Sequence, residues 1–169
     1  NEDILISIVG LSISSVDGVK VKYKKNDKSK LEGVKILSDK DGYIHAYVYT
    51  QAGILKHQIG KGNFDVTKIY GYDAKNKLVY YQSTENGPLN RGVYAIGLYD
   101  GKKRALAAHN GTNDASFSEN YAYFVLTYSS IEQPFIYAVC DAKGNSLREI
   151  YRDSINPGIE KESYNFANG

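Results

Sequence analysis

Short runs rich in Tyr, Val and Ile recur along the chain and are separated by turns that contain glycine. Helical periodicity is poor throughout, and Tyr, Val and Ile favour strands. Asp-Gly, Asn-Gly or Lys-Gly pairs mark turns between the runs. These pairs lie at residues 17–18, 41–42, 61–62, 86–87, 100–101 and 143–144. The pattern predicts an all-β chain built from antiparallel hairpins.

A longer pattern returns about every 44 residues, with Ile36, Tyr80 and Phe124 at the start of successive units. Each start is followed by a second apolar run that ends in a turn. A period of about 40–50 residues made of short strands is typical of propeller blades, which are small sheets that stack on their neighbours. We therefore predict a partial β-propeller with about three four-stranded antiparallel blades and one incomplete blade.

The period also divides the chain. We expect residues 1–30 to form an incomplete blade and residues 31–153 to form three consecutive blades, at 31–73, 74–120 and 121–153. Residues 154–169 read as an exit linker. A partial ring leaves its end sheets uncovered, so we expect exposed apolar surface and association or marginal stability.

The composition is that of a chain with a packed hydrophobic core, and the charge distribution does not indicate a nucleic-acid partner. The 169 residues are 42% hydrophobic, the formal net charge is +2, and basic and acidic residues are interspersed. The basic stretch 20–25 alternates like a strand with a solvated face, so we expect no nucleic-acid partner. No apolar run reaches the length of a membrane helix, and no signal peptide is evident. Because the chain contains no Met, we expect it to derive from a longer one.

Residues able to carry chemistry are scattered. Cys140 lies in an apolar run, which favours a buried structural thiol over a catalytic one. His45, His57 and His109 lack the spacing of a zinc site and are expected on hairpins or in turns. Residues 39–42 resemble the start of a calcium loop, but Thr50 stands where the twelfth position requires Glu. We therefore assign no catalytic, cofactor or metal residue, and we expect no cofactor.

Several segments, in one order and spacing, resemble the amino-terminal propeller of dipeptidyl peptidase IV and its bacterial relatives. The segments lie at residues 38–47, 58–67, 79–85, 91–94, 111–118 and 127–130. The resemblance covers residues 34–166. It implies that the parent is a serine exopeptidase of the prolyl-oligopeptidase type, in which an α/β-hydrolase domain follows the propeller and removes amino-terminal dipeptides. Residues 154–169 then resemble the linker toward that hydrolase domain, which is absent here.

The chain departs from the family pattern in three respects. The charged stretch 26–33 is shorter than the blade strand that the family usually has at that place. The nucleophile motif G-x-S-x-G is absent, since the residues around Ser12 do not fit it. The paired glutamates that bind the substrate ammonium in the family are absent too, so the substrate-binding residues stay unknown. We therefore expect a non-catalytic propeller fragment that gates and positions peptides for the hydrolase domain of the parent.

The resemblance also implies a homodimeric parent that is periplasmic, secreted or held at the cell surface. An alternative is a stand-alone propeller-like module that binds glycans or proteins. The sixteen tyrosines allow both readings, because they can pack between blades or form a face on which sugars stack. The reading frame beyond Gly169 separates the two hypotheses.

Overall fold

The computed structural model describes residues 34–38, 42–49 and 55–153. These residues form eleven strands in three antiparallel sheets, and none of them lies in a helix. The all-β prediction is therefore confirmed. The predictions for residues 1–30, 39–41 and 154–169 lie outside the described residues. The described part contains no helix with the length and apolar character that a membrane span requires.

The three sheets follow one another along the chain. The first sheet contains β1 (Val34–Ser38), β2 (His45–Tyr49) and β3 (Leu55–Ile59). The second sheet contains β4 (Val66–Asp73), β5 (Leu78–Ser83), β6 (Gly92–Gly97) and β7 (Lys103–Ala107). The third sheet contains β8 (Thr112–Phe117), β9 (Tyr123–Ser129), β10 (Ile136–Asp141) and β11 (Ser146–Arg152). In each sheet the strands are neighbours in chain order, so each sheet is a meander of hairpins.

Two apolar clusters join the sheets face to face. One cluster lies between the first and second sheets and includes Ala46, Val48 and Val79. The other lies between the second and third sheets and includes Tyr80 and Phe124. The second sheet is thus covered on both faces, which explains why five consecutive residues of β5 are buried. This stacking of sheets in chain order is the arrangement that propeller blades require.

The boundaries between the hydrogen-bonded sheets differ from the boundaries that the sequence period predicted for the units. The period placed unit boundaries at 73/74 and 120/121, whereas the sheets change between 60 and 65 and between 108 and 111. The predicted units therefore begin one strand late, with β4 and β8 assigned to the preceding unit. A repeat fixes the length of a unit but not its phase, because any four consecutive strands recur with the same period.

Residues 44 apart do not lie on equivalent faces of consecutive sheets, because the structural repeat is one residue longer at this point. Tyr80 lies on the face of the second sheet that contacts the third, whereas Phe124 lies on the face of the third sheet that contacts the second. Val79 lies on the face equivalent to that of Phe124, and these two residues are 45 apart. A shift of one residue turns a strand side chain to the opposite face.

The third sheet leaves its far face exposed. Phe124 and Leu126 of β9 point toward the second sheet and are buried, while their neighbour Tyr123 is 53% exposed. On the same side, the rings of Tyr137 and Tyr151 lie 6.0 Å apart and are also exposed. The expected uncovered apolar face is therefore present at this end of the described stack.

Candidate functional site

A group of interacting charged and polar side chains lies where β4 faces β8. Each is an edge strand of its own sheet. The Lys68 ammonium on β4 lies 3.0 and 3.1 Å from the two carboxylate oxygens of Asp114 on β8. The two side chains are 41% and 43% exposed. They therefore form an ion pair that joins two sheets and remains accessible to water.

A tyrosine completes this group. The Tyr70 hydroxyl donates to Oδ1 of Asp114 at 2.5 Å, and the Lys68 ammonium lies 4.9 Å from the Tyr70 ring centre. The main-chain N–H of Ala115 donates both to the Tyr70 oxygen, at 3.2 Å, and to Oδ1 of Asp114, at 2.8 Å. We call Lys68, Tyr70 and Asp114 the β4–β8 cluster.

The cluster shifts the titration of its members. Burial acts to raise the pKa of Asp114, but hydrogen bonds from Tyr70, Lys68 and a main-chain amide outweigh it, and the pKa lies below its ordinary value. Burial, followed by the hydrogen bond and charge of Asp114, raises the pKa of Tyr70. At neutral pH Asp114 is therefore a carboxylate and Tyr70 a neutral phenol.

A second polar connection lies beside the cluster and leads from exposed Thr67 to the buried side chains of Gln82 and Asn113. The Thr67 hydroxyl donates to Gln82 at 2.7 Å, and the Gln82 amide donates to the carbonyl of Asn113 at 2.7 Å. The Asn113 amide in turn donates to the carbonyls of Arg91 and His109, each at 2.8 Å. The Asn113 side-chain oxygen has no partner in the described part of the chain, and such a buried acceptor suits an ordered water.

Glu85 forms a separate cluster at the end of β5. Its carboxylate accepts hydrogen bonds from the hydroxyls of Tyr81, at 2.8 Å, and Ser83, at 3.2 Å. It also pairs with the Lys103 ammonium. Burial, followed by the charge of Glu85, raises the pKa of Tyr81. Every member comes from the second sheet, so this cluster stabilises the loop after β5 rather than joining two sheets.

The three histidines have different partners and do not form one site in the described part of the chain. His45 is buried, with Nε2 3.1 Å from the carbonyl oxygen of Gly62. The rings of His57 and His109 pack against tyrosine rings at 5.4 and 5.1 Å. Within residues 34–38, 42–49 and 55–153, no three His, Cys, Asp or Glu side chains are placed to hold a metal ion.

Cys140 is buried in the cluster between the second and third sheets, as its apolar surroundings in the sequence predicted. Burial, followed by the charge of Asp141, raises the pKa of its thiol. A raised pKa lowers the fraction of thiolate at neutral pH, which is the reverse of what a nucleophilic cysteine needs. Three of the four residues at the start of the candidate calcium loop, 39–41, lie outside the described residues.

Comparison with known proteins identifies the family. A family model described as "Dipeptidyl peptidase IV (DPP IV) N-terminal region" matches residues 15–135, which is most of the chain. The chain belongs to this family. The prediction that rested on the six sequence segments is thereby confirmed.

The relatives and a solved structure agree with this assignment. The chain is 33% identical over 112 residues to dipeptidyl peptidase 4 of Arthroderma otae, and the match covers 63% of this chain and 14% of that protein. It is 31% identical over the same length to dipeptidyl peptidase 4 of Trichophyton rubrum. The crystal structure of Porphyromonas gingivalis dipeptidyl peptidase 4 superposes with a TM-score of 0.65 and 45% identity, over 70% of this chain and 17% of that one.

These matches settle the fold and the place of the chain within its relatives. The stacked sheets are part of a β-propeller of the dipeptidyl peptidase IV N-terminal region. The chain spans about a seventh of the length of the fungal relatives. It therefore corresponds to a portion of a dipeptidyl-peptidase-4-like protein.

Proposed function

We propose that this chain is a non-catalytic propeller portion of a serine exopeptidase of the dipeptidyl peptidase IV type. In that role it gates the entry of peptides and positions them for an α/β-hydrolase domain of the parent chain. The observation that carries the proposal is the family match over residues 15–135 together with the similarity to a bacterial dipeptidyl peptidase 4. The parent is periplasmic, secreted or held at the cell surface, and it assembles as a homodimer.

The physical argument for gating starts from the stack of sheets. Sheets that pack face to face around an axis leave a passage bordered by their inner edge strands. β4 and β8 are edge strands that approach each other, and they carry the polar side chains of the β4–β8 cluster. A passage of this kind admits short or unfolded peptides and excludes folded proteins.

The test uses the whole polypeptide that contains this chain. It is expected to release dipeptides from an Ala-Pro reporter and from a short peptide, but to leave the same amino-terminal sequence uncut when a folded protein follows it. Tyr80→Ala, which disturbs the packing of the second sheet, is expected to raise cleavage of the folded substrate relative to the reporter. Equal relative rates in both proteins would contradict the gating role, and absence of reporter cleavage would contradict the peptidase assignment.

One observation favours the glycan-binding alternative. Three exposed rings form a row at the third sheet: the centre of the Tyr137 ring lies 6.4 Å from that of Phe135, just before β10, and 6.0 Å from that of Tyr151 on β11. Aromatic faces of this kind bind sugars by stacking. Binding of soluble oligosaccharides to the 169-residue chain, lost on Tyr137→Ala, would favour this alternative, as would a reading frame that ends near Gly169.

A further inference from the structure

The β4–β8 cluster differs from the contacts that join the first and second sheets. At that earlier junction, the main-chain N–H of Val66 donates to the carbonyl of Ile44 at 2.6 Å. The Ile44 N–H donates to the Asp65 carboxylate at 2.8 Å. At the later junction, the hydrogen bonds between main chains lie near the start of β8, where Asn113 N–H donates to the Arg91 carbonyl at 2.8 Å. Beyond that point side chains hold β8 against β4.

The contact between the middle of β8 and β4 therefore depends on interactions whose strength varies with salt concentration. The ion pair between Lys68 and Asp114 is partly exposed, so dissolved salt weakens it. The outward-facing N–H of Ala115 has the Tyr70 oxygen and the Asp114 carboxylate as its acceptors. The bond to Asp114 lies within β8, whereas the bond to Tyr70 crosses to β4, so protection of this N–H from exchange reports the Tyr70 contact of the cluster. The two ends of β8 are held by other contacts. Its start is held by the main-chain bond at Asn113, and at its end the centre of the Phe117 ring lies 4.6 Å from that of the Tyr80 ring.

We propose that Lys68, Tyr70 and Asp114 form an electrostatic latch, which sets how often the contact between β4 and β8 opens locally. Opening breaks the ion pair and the phenol hydrogen bond while both sheets stay folded, because the backbone bonds at Asn113 and the ring contacts at Phe117 remain. The latch is a property of this chain. Its bearing on peptide entry rests on the proposed function, in which the same two strands border the passage.

The experiment measures amide hydrogen exchange in the 169-residue chain, with Lys68→Met as the principal variant. This change keeps the length of the side chain and leaves Asp114 able to accept from Ala115. Exchange at Ala115 is expected to become about three- to tenfold faster, the range expected for a partly exposed charged hydrogen bond. Exchange at Leu126 and Ala138, in the centre of the third sheet, is expected to stay unchanged.

A matched control breaks another ion pair. Glu149 and Arg152 lie on one strand, with nitrogen and oxygen 2.6 Å apart, and Glu149→Gln removes that pair without touching a junction between sheets. It is expected to leave exchange at Ala115 unchanged. Salt at about 1 M is expected to accelerate Ala115 in the unmodified chain and to have little further effect in Lys68→Met, because only the former keeps the pair to be screened.

A charge swap separates the latch from a general loss of stability. Lys68→Glu combined with Asp114→Lys restores opposite charges, so exchange at Ala115 is expected to be slower than in either single variant. Uniform acceleration over the third sheet, or no difference between Lys68→Met and the Glu149→Gln control, would overturn the proposal. Because no peptidase activity is measured, that outcome would leave the proposed function in place.

Discussion

The second and third sheets have the same number of strands and the same meander order, but their burial differs. In β5 of the second sheet, Val79, Tyr80 and Tyr81 are at most 1% exposed. In β9 of the third sheet, burial alternates, with Tyr123 at 53% and Phe124 at 2%. The apolar character of the two strands is similar, so the difference comes from neighbours. A propeller sheet of this type is complete only when both of its faces are covered.

The largest predicted effect compares one tyrosine from each sheet. Tyr80→Ala is expected to lower the free energy of unfolding by about 3–5 kcal/mol, because it removes a ring packed between two sheets. Tyr123→Ala, on the exposed face, is expected to change it by no more than about 0.5 kcal/mol. Urea denaturation of the 169-residue chain measures both. Tyr80→Leu supplies a milder variant if Tyr80→Ala is unfolded without denaturant, and similar losses at the two positions would contradict the comparison.

A smaller effect is expected in two turns that occupy equivalent places in these sheets. Gly101 and Gly144 both have positive φ, +65° and +92°, so alanine costs each about 1–2 kcal/mol of backbone strain. A Cβ at Gly101 meets nothing within 4 Å, whereas one at Gly144 would lie 2.5 Å from the carbonyl oxygen of Leu106 in the second sheet.

Gly144→Ala should therefore lower the urea midpoint by clearly more than Gly101→Ala does. The difference isolates the contact between the third sheet and the second, because the backbone strain is common to both variants. Equal midpoints would mean that the turn after β10 does not pack on β7 as described.

The smallest predicted effect is the pH dependence contributed by Asp114. Its pKa is lower in the folded chain than in the unfolded one, so its contribution to stability is present above about pH 4 and is lost as the pH falls through the folded pKa. The difference in unfolding free energy between the unmodified chain and Asp114→Asn should shrink from pH 7 to pH 3. A difference that stays constant or grows would show that the carboxylate is not stabilised by Lys68 and Tyr70.

The sequence predicted the fold well because its signals are local. Hairpins follow from strand-forming residues and glycine turns, and β1, β5 and β9 recur at the predicted spacing. The phase of the sheets was not available from the period, and neither was the face of each residue, since Val79 rather than Tyr80 corresponds to Phe124.

The candidate site could not be predicted in the same way. Lys68 and Asp114 are 46 residues apart and belong to different sheets, so no hydrophobic period or motif links them. Their contact depends on how two edge strands approach, which is a consequence of packing. Residues that lie about one repeat apart on consecutive edge strands are, in retrospect, the signal that could have paired them.

The central claim is that these sheets are consecutive members of a stack that requires a further neighbour on the third sheet. Sedimentation velocity of the 169-residue chain over a range of concentrations tests it most directly. We expect concentration-dependent self-association that is abolished by Tyr137→Lys with Tyr151→Lys, but not by Leu89→Lys, a control on a loop tip that is 90% exposed. A stable monomer at every concentration, or association that these tyrosine substitutions leave unchanged, would contradict the account.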